Sequence, residues 1–210
     1  MYVTDEVHLV GNGPTAALYL EAPRKGPKMT CNLPPFTVEG AFATAMVDFK
    51  MMRAIQDGSV TVPGEWVLGY RPKIHMQRNS SMHMKYAKQI KEFYLTLPKY
   101  LIDLNGGDVG KAYTDFSCGH FATHYLCTKG KPRTLHLYGF DSLLDFDLRS
   151  GTDTYLFSER NTPTTARLTN NWRRVWPHMF KEFHDVQFVL HARHDDLKIE
   201  KPDNLQIEVY

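Results

Sequence analysis

The stretch VHLVGNGPT, residues 7–15, carries the first chemical signal. A short apolar run ends in Gly11-Asn12-Gly13-Pro14-Thr15, and Gly11-x-Gly13-x-x-Ala16 has the GxGxxA spacing of a phosphate-binding turn. Gly11 allows the tight turn. Gly13 lets a ligand approach the backbone, and the helix start beyond favours an anion. Two residues depart from a nicotinamide-dinucleotide site. The next strand ends in Cys31-Asn32, where an acid should hold the ribose, and Pro14 removes an N–H that a pyrophosphate would use. Asn12 and Thr15 offer side-chain contacts instead.

Ligands of open parallel sheets bind outside the carboxyl ends of the strands. Those ends bring Gly11, Asn12, Gly13, Asn32, Asp48, Gly139 and Asp141 to one edge. Asn32 and Asp48 are suited to bond a base, a ribose or a sugar hydroxyl. The turn Ser117-Cys118-Gly119 opens a helix and presents a second helix start to an anion.

The elements that must position these residues alternate. A strand over 6–10 leads to a short helix from Pro14 to Glu21, with Pro14 at the first helical position. Strands follow over 29–32 and Ala41 to Val47, then helical FKMMRAIQ and a strand from Trp66 to Tyr70. Residues 73–112 read as a helical insertion, with Met84, Ala87, Ile90 and Tyr94 on one face. A helix over 119–128 and a strand from Thr134 to Tyr138 come next. Residues 149–166 are polar and form a candidate lid loop. Leu168, Trp172, Val175, Met179 and Phe183 make a helical stripe that Pro177 should kink or break. Val186 to Leu190 is a buried strand, and the final residues suggest a hairpin around Lys201-Pro202-Asp203-Asn204. The pattern predicts one α/β domain over 1–210, Rossmann-like, with a mostly parallel sheet and helices on both faces.

Composition narrows the function classes. The chain has 210 residues, 42% hydrophobic and 23% charged, as ordinary globular proteins do. A net charge of +2 gives no argument for a nucleic-acid or membrane partner. Cys31, Cys118 and Cys127 form no CxxC pair, which fits a reducing compartment. No apolar run approaches the roughly 20 residues of a membrane span. The opening MYVTDEVHL lacks the regions of a signal peptide, so a cytoplasmic protein is expected.

The strand ending in GNGP, the strand ending in Cys-Asn and the unit FSCGHFATHYLCTKGKPRTLHLYGFDSL, 116–143, together resemble the bacterial lipooligosaccharide sialyltransferases and other sialyltransferase-like folds. The resemblance implies a metal-independent glycosyltransferase that uses a nucleotide-sugar donor, needs no cofactor and orders a lid over the donor. It places Gly11, Asn12, Gly13 and Thr15 along the donor phosphate and ribose, and Asn32 against the nucleotide or sugar. Cys118 and Gly119 bring backbone groups to the nucleotide, and Asp48 and Asp141 stand at polar strand ends. The family's lid histidine is missing from TDTYLFSERNTPTTAR, where Glu159 is the nearest candidate base and Tyr155, Arg160 and Arg167 could meet phosphate.

Sugar transfer needs a base for the acceptor hydroxyl and stabilisation of the departing phosphate. His120, Glu159 and Asp48 are the candidate bases, with Asp141 behind them. His120 and His124 are also spaced i, i+4 like two metal ligands, but without the Glu of HExxH, and no metal site is assigned. Lys73, Arg78, Lys85, Lys88, Lys91 and Lys99, mixed with tyrosines, could greet an anionic acceptor, a glycan or a nucleic acid; a solvated helix face is the simpler explanation. Two rivals stand. One is an S-adenosylmethionine-dependent methyltransferase, which should carry an acid where Asn32 stands. The other is a non-catalytic nucleotide-binding or interaction module. Acceptor and oligomeric state are left open.

Overall fold

The computed structural model describes residues 5–21, 25–144 and 170–210. Its strands are β1 (Glu6–Val10), β2 (Lys28–Cys31), β3 (Ala41–Met46), β4 (Trp66–Leu68), β5 (Ile90–Phe93), β6 (Thr134–Tyr138), β7 (Gln187–Ala192) and β8 (Leu205–Val209). They form one sheet in the order β5-β4-β3-β2-β1-β6-β7-β8, and every neighbouring pair is parallel. The order reverses between β1 and β6, which makes the carboxyl ends of these two strands the sheet's switch point.

Both sheet faces are covered, which is why the central strands are apolar almost throughout. In β1, Val7 and Leu9 enter one core, while Val10 joins the core on the opposite face. Helix α7 (Cys118–Tyr125) packs on β2 and β3. The small Ala43 and Ala45 of β3 share its core with Phe121, Ala122 and Tyr125. On the other face, α2 (Phe49–Gln56) and α3 (Tyr70–Arg78) cover β3 and β4 with Met51, Met52, Ile55 and Met76 around Trp66. On the face of Val10, a buried polar ladder runs across β1, β6 and β7. His8 stacks on His136, His136 Nδ1 is 3.0 Å from His191 Nε2, and His191 stacks on Tyr138.

Local readings match where one element carries its own pattern. The helix at FKMMRAIQ and the strand from Thr134 to Tyr138 lie where the sequence puts them. The break at Pro177 is also present: α8 (Trp176–Glu182) starts one residue before the proline, which sits in the first turn where its missing N–H is harmless.

Two expectations are corrected. The stretch 73–112 is mostly helical, with α4 (Ser80–Tyr86), α5 (Lys99–Leu104) and α6 (Val109–Asp115), but it carries the edge strand β5 at its centre. Met84 is therefore exposed and shares no buried stripe with Ile90. Pairing with β4 selects the strand, and its charges face solvent-side partners: Lys91 pairs with Glu65, and Lys129 reaches Glu92 at 2.9 Å. The final strand is no hairpin partner. β8 runs parallel to β7 after a crossover of about a dozen residues, close to the minimum for a parallel connection. Asn204 fixes the return by donating its amide to the carbonyls of Phe180, Phe183 and Val186, each at 3.1 Å.

Candidate functional site

The glycine turn is shaped by the neighbouring crossover. Gly11 N donates to Tyr138 O at 2.7 Å, and Gly13 N donates to Gly139 O at 3.2 Å. A Cβ on Gly11 would lie 2.8 Å from Gly139 O, and one on Gly13 would lie 2.7 Å from the same oxygen and overlap the Asp141 carboxylate. Gly139 itself has φ +77, and a Cβ there would meet that of Ala16 at 2.9 Å. These glycines let two loops pack backbone against backbone.

The anion at this helix start is the chain's own. Thr15 N donates to both Asp141 oxygens, at 3.2 and 3.3 Å. At the turn expected to hold a phosphate, the Asp141 carboxylate accepts from the Thr15 N–H as an internal capping group. The turn that follows is a short three-ten helix over Pro14–Ala17 leading into α1 (Leu18–Glu21). Asn12 is half-buried beside it.

The second expected anion site is closed as well. Ser117 caps α7 by accepting from His120 N, and His120 Nδ1 accepts from Ser117 N at 3.3 Å. His120 is 0% exposed, and burial pushes its pKa down to about 3. Its ring lies among Phe116 and Trp176, with the backbone of Asp115 and Trp172 close by. The candidate base is therefore a cap, out of reach of an acceptor hydroxyl. Gly119 lies under Phe140, where a Cβ would come within 2.8 Å of the ring. Cys118 donates to Ala45 O at 3.1 Å, and burial raises its thiol pKa well above the ordinary value. His124 serves a different task from His120: its Nδ1 is 2.7 Å from Tyr94 Oη and its Nε2 faces Glu182 at 3.5 Å. Among the described residues, no group of His, Cys, Asp and Glu is arranged to hold a metal ion.

A second polar group at the carboxyl edge pairs the buried Asn32 with the exposed carboxylate of Asp48. The φ of Asn32 is +49, in the left-handed region that asparagine tolerates better than most residues. The side chain is buried, donates Nδ2 to Asp48 Oδ2 at 3.4 Å, and leaves Oδ1 without a hydrogen-bond partner among the described residues. Asp48 stands at the N-cap of α2 but does not cap it. Its carboxylate faces Arg71, whose Nη1 lies 3.8 Å from Oδ1, and it keeps 43% of its surface exposed. Arg71 also donates to Thr114 Oγ1 of α6 at 2.7 Å. Beside it, Tyr70 stacks on Tyr113.

The structure thus brings Asn32 and Asp48 together and gathers Gly11, Gly13, Thr15 and Asp141 into a neighbouring cluster, in which the Thr15 N–H is satisfied by Asp141 while the buried Thr15 Oγ1 has no hydrogen-bond partner among the described residues. Arg71 and Tyr70 were missed by the sequence reading. Their signal was their place directly after a strand, at the same edge as Asn32 and Asp48. Tyr155, Glu159, Arg160, Arg167 and the candidate lid 149–166 lie outside the described residues. No helix among the described residues is long and apolar enough to cross a membrane. Compared with family models, curated proteins and solved structures, the chain matches none of them.

Proposed function

We propose that the chain binds a nucleotide sugar at the carboxyl ends of β2, β3 and β4 and transfers its sugar to an acceptor hydroxyl. The observation that carries this reading is Asn32. One residue combines a left-handed backbone, near-complete burial and an acceptor oxygen without a donor, beside an open carboxylate. Such an orphan costs about 1–3 kcal/mol, and strain of this kind collects at ligand sites. The exposed Asp48 carboxylate accepts a sugar hydroxyl, and the buried Asn32 amide braces it from behind through Nδ2.

Asp48 then serves as the base. The acceptor oxygen attacks the anomeric carbon as its proton passes to the Asp48 carboxylate. The bond from that carbon to the phosphate oxygen breaks, and the phosphate leaves with the electron pair beside the Arg71 guanidinium. Asp48 replaces His120 in this role because its carboxylate is open where the imidazole is sealed.

The test is calorimetric titration with CMP-, UDP-, GDP- and ADP-linked sugars in the presence of EDTA, followed by nucleotide release with water as acceptor. One donor is expected to bind and release its nucleotide. Asp48→Asn should slow release by about 100-fold or more while donor affinity is retained. Binding of S-adenosylmethionine alone overturns the reading in favour of a methyltransferase. A donor that binds and is never cleaved favours the non-catalytic module, a reading supported by the sealed His120.

A further inference from the structure

The ring of Tyr70 opens α3 directly after β4 and lies on the ring of Tyr113, with centroids 4.5 Å apart and planes 15° from parallel. The back ring is anchored, because Tyr113 Oη donates to Leu95 O at 3.3 Å. The front ring is not sealed: Tyr70 keeps 42% of its surface exposed. Gly69, just before it, packs against Val47 and Phe121, which holds the start of α3 against the end of β3 and the body of α7. The two rings thus make a supported shelf, one face covered and one turned outward.

The shelf has a fixed neighbour. Arg71 follows Tyr70, donates to Thr114 next to Tyr113, and extends to Asp48. Asp48 in turn meets Asn32, whose buried Oδ1 lacks a donor. Along the carboxyl edge the order is therefore aromatic ring, guanidinium, carboxylate, free amide oxygen. A flat ring stacks on tyrosine, an anion is drawn to guanidinium, and hydroxyls donate to carboxylate and amide oxygens. A nucleotide sugar presents base, ribose, phosphate and sugar in that order, so its ring, anion and sugar hydroxyls follow the same sequence with the ribose spanning from Tyr70 to Arg71.

We infer that Tyr70 is the base platform of the donor site, with the donor phosphate at Arg71 and the transferred sugar over Asp48 and Asn32. This deepens the nucleotide-sugar reading and rests on it. It also moves the donor phosphate away from the glycine turn, whose helix start is already occupied by Asp141. Stacking carries no base-edge contacts, so the platform by itself prefers larger rings over smaller ones and reads no sequence of donors and acceptors on the base.

The experiment uses the full chain and two probe sets. One is the nucleoside monophosphates CMP, UMP, AMP and GMP; the other is glucose 1-phosphate, which has phosphate and sugar but no base. Tyr70→Ala should weaken the best nucleotide by about tenfold or more, the usual scale for a lost stacking partner, and leave glucose 1-phosphate unaffected. Tyr70→Trp should restore nucleotide binding. Asn32→Gly should give the opposite pattern, weakening glucose 1-phosphate and sparing the free nucleotides. Thermal midpoints of all variants show whether each is folded. Nucleotides that bind Tyr70→Ala as well as the parent chain overturn the platform and leave the donor reading standing. Equal weakening of both probe sets by Tyr70→Ala overturns it too, since the ring would then hold the sugar or the local fold. If neither nucleotides nor nucleotide sugars bind the parent chain, the donor reading falls and the platform with it.

Discussion

The carboxylate of Asp141 accepts a hydrogen bond from the backbone N–H of Thr15, 126 residues earlier in the chain. This single contact joins the two loops at the sheet's switch point and places a negative charge where a phosphate was expected. Asp141→Ala should lower stability by about 1–2 kcal/mol in urea denaturation, because Thr15 N loses its acceptor and the helix start loses its anion. Asp141→Asn, which keeps an acceptor, should lose less. An equal loss in both variants would mean that the charge, and not the hydrogen bond, holds the loop.

Gly13→Ala should be the more damaging change on the other side of this contact. Its Cβ overlaps the Asp141 carboxylate and comes 2.7 Å from Gly139 O, a backbone atom that cannot rotate away. Overpacking of this kind costs about 1–3 kcal/mol. In the double variant with Asp141→Ala only the first clash disappears, so the penalty should persist in part. Full recovery of the thermal midpoint would place the whole clash on the side chain.

Asn32 separates stability from binding. Asn32→Gly keeps access to the left-handed backbone and removes the orphan acceptor, so the thermal midpoint should hold or rise while donor affinity falls. Asn32→Ala must adopt the same φ with a Cβ and should lose about 1–2 kcal/mol. A Gly variant that is much less stable than the parent would show that the bond to Asp48, and not ligand binding, explains the residue.

Acid should destabilise the chain from near neutrality downward. His120 has a folded pKa of about 3 because burial disfavours its charged form, whereas the unfolded side chain keeps the ordinary value of 6.5. Burial also lowers the pKa of His124, against the pull of Glu182. On acidification the unfolded chain takes up protons first. Stability is therefore complete above 6.5 and falls as pH drops toward about 3, by up to about 1.4 kcal/mol per pH unit from His120 alone. His120→Gln preserves the capping-box pattern and cannot titrate, so it should flatten this limb in urea titrations across the range. An unchanged slope in that variant would assign the effect elsewhere.

Asp115 anchors the return of the chain at residue 170. Its buried carboxylate accepts from Asn171 Nδ2 at 3.0 Å and Arg174 Nη2 at 2.9 Å. Asp115→Ala leaves both donors without it and should cost about 1–3 kcal/mol, nearer the lower figure because Arg174 is partly exposed and also meets Asn105. Asp115→Asn should recover part of the loss in denaturant titration.

Much of the fold was legible because its elements advertise themselves locally. The apolar run of β1, the amphipathic α2, the strand from Thr134 and the proline in the first turn of α8 each satisfy a rule that operates within a few residues. β5 and β8 were misread for the same reason. Ile90 to Phe93 is short and charged, and only pairing with β4 makes it a strand; Leu205 to Val209 looks like the return of a hairpin, and only a crossover held by Asn204 makes it parallel.

The site divides along the same line. Residue type and strand-end position are properties of the sequence, and they put Asn32 and Asp48 at one edge, where the structure joins them by a hydrogen bond. By itself the chain determined a parallel α/β sheet, a glycine turn after its first strand and a polar carboxyl edge. The tertiary structure decided what those features do. Gly11 and Gly13 are small because a loop from residues 138–141 lies against them, and His120 is sealed because Phe116 and Trp176 close over it. Arg71 and Tyr70 reach the edge only because α3 starts beside Asp48 and α6 supplies Thr114 and Tyr113. The physical reason is range. Helix and strand patterns arise from neighbours in sequence, while burial, orphaned hydrogen bonds and the position of a charge are set by residues far along the chain.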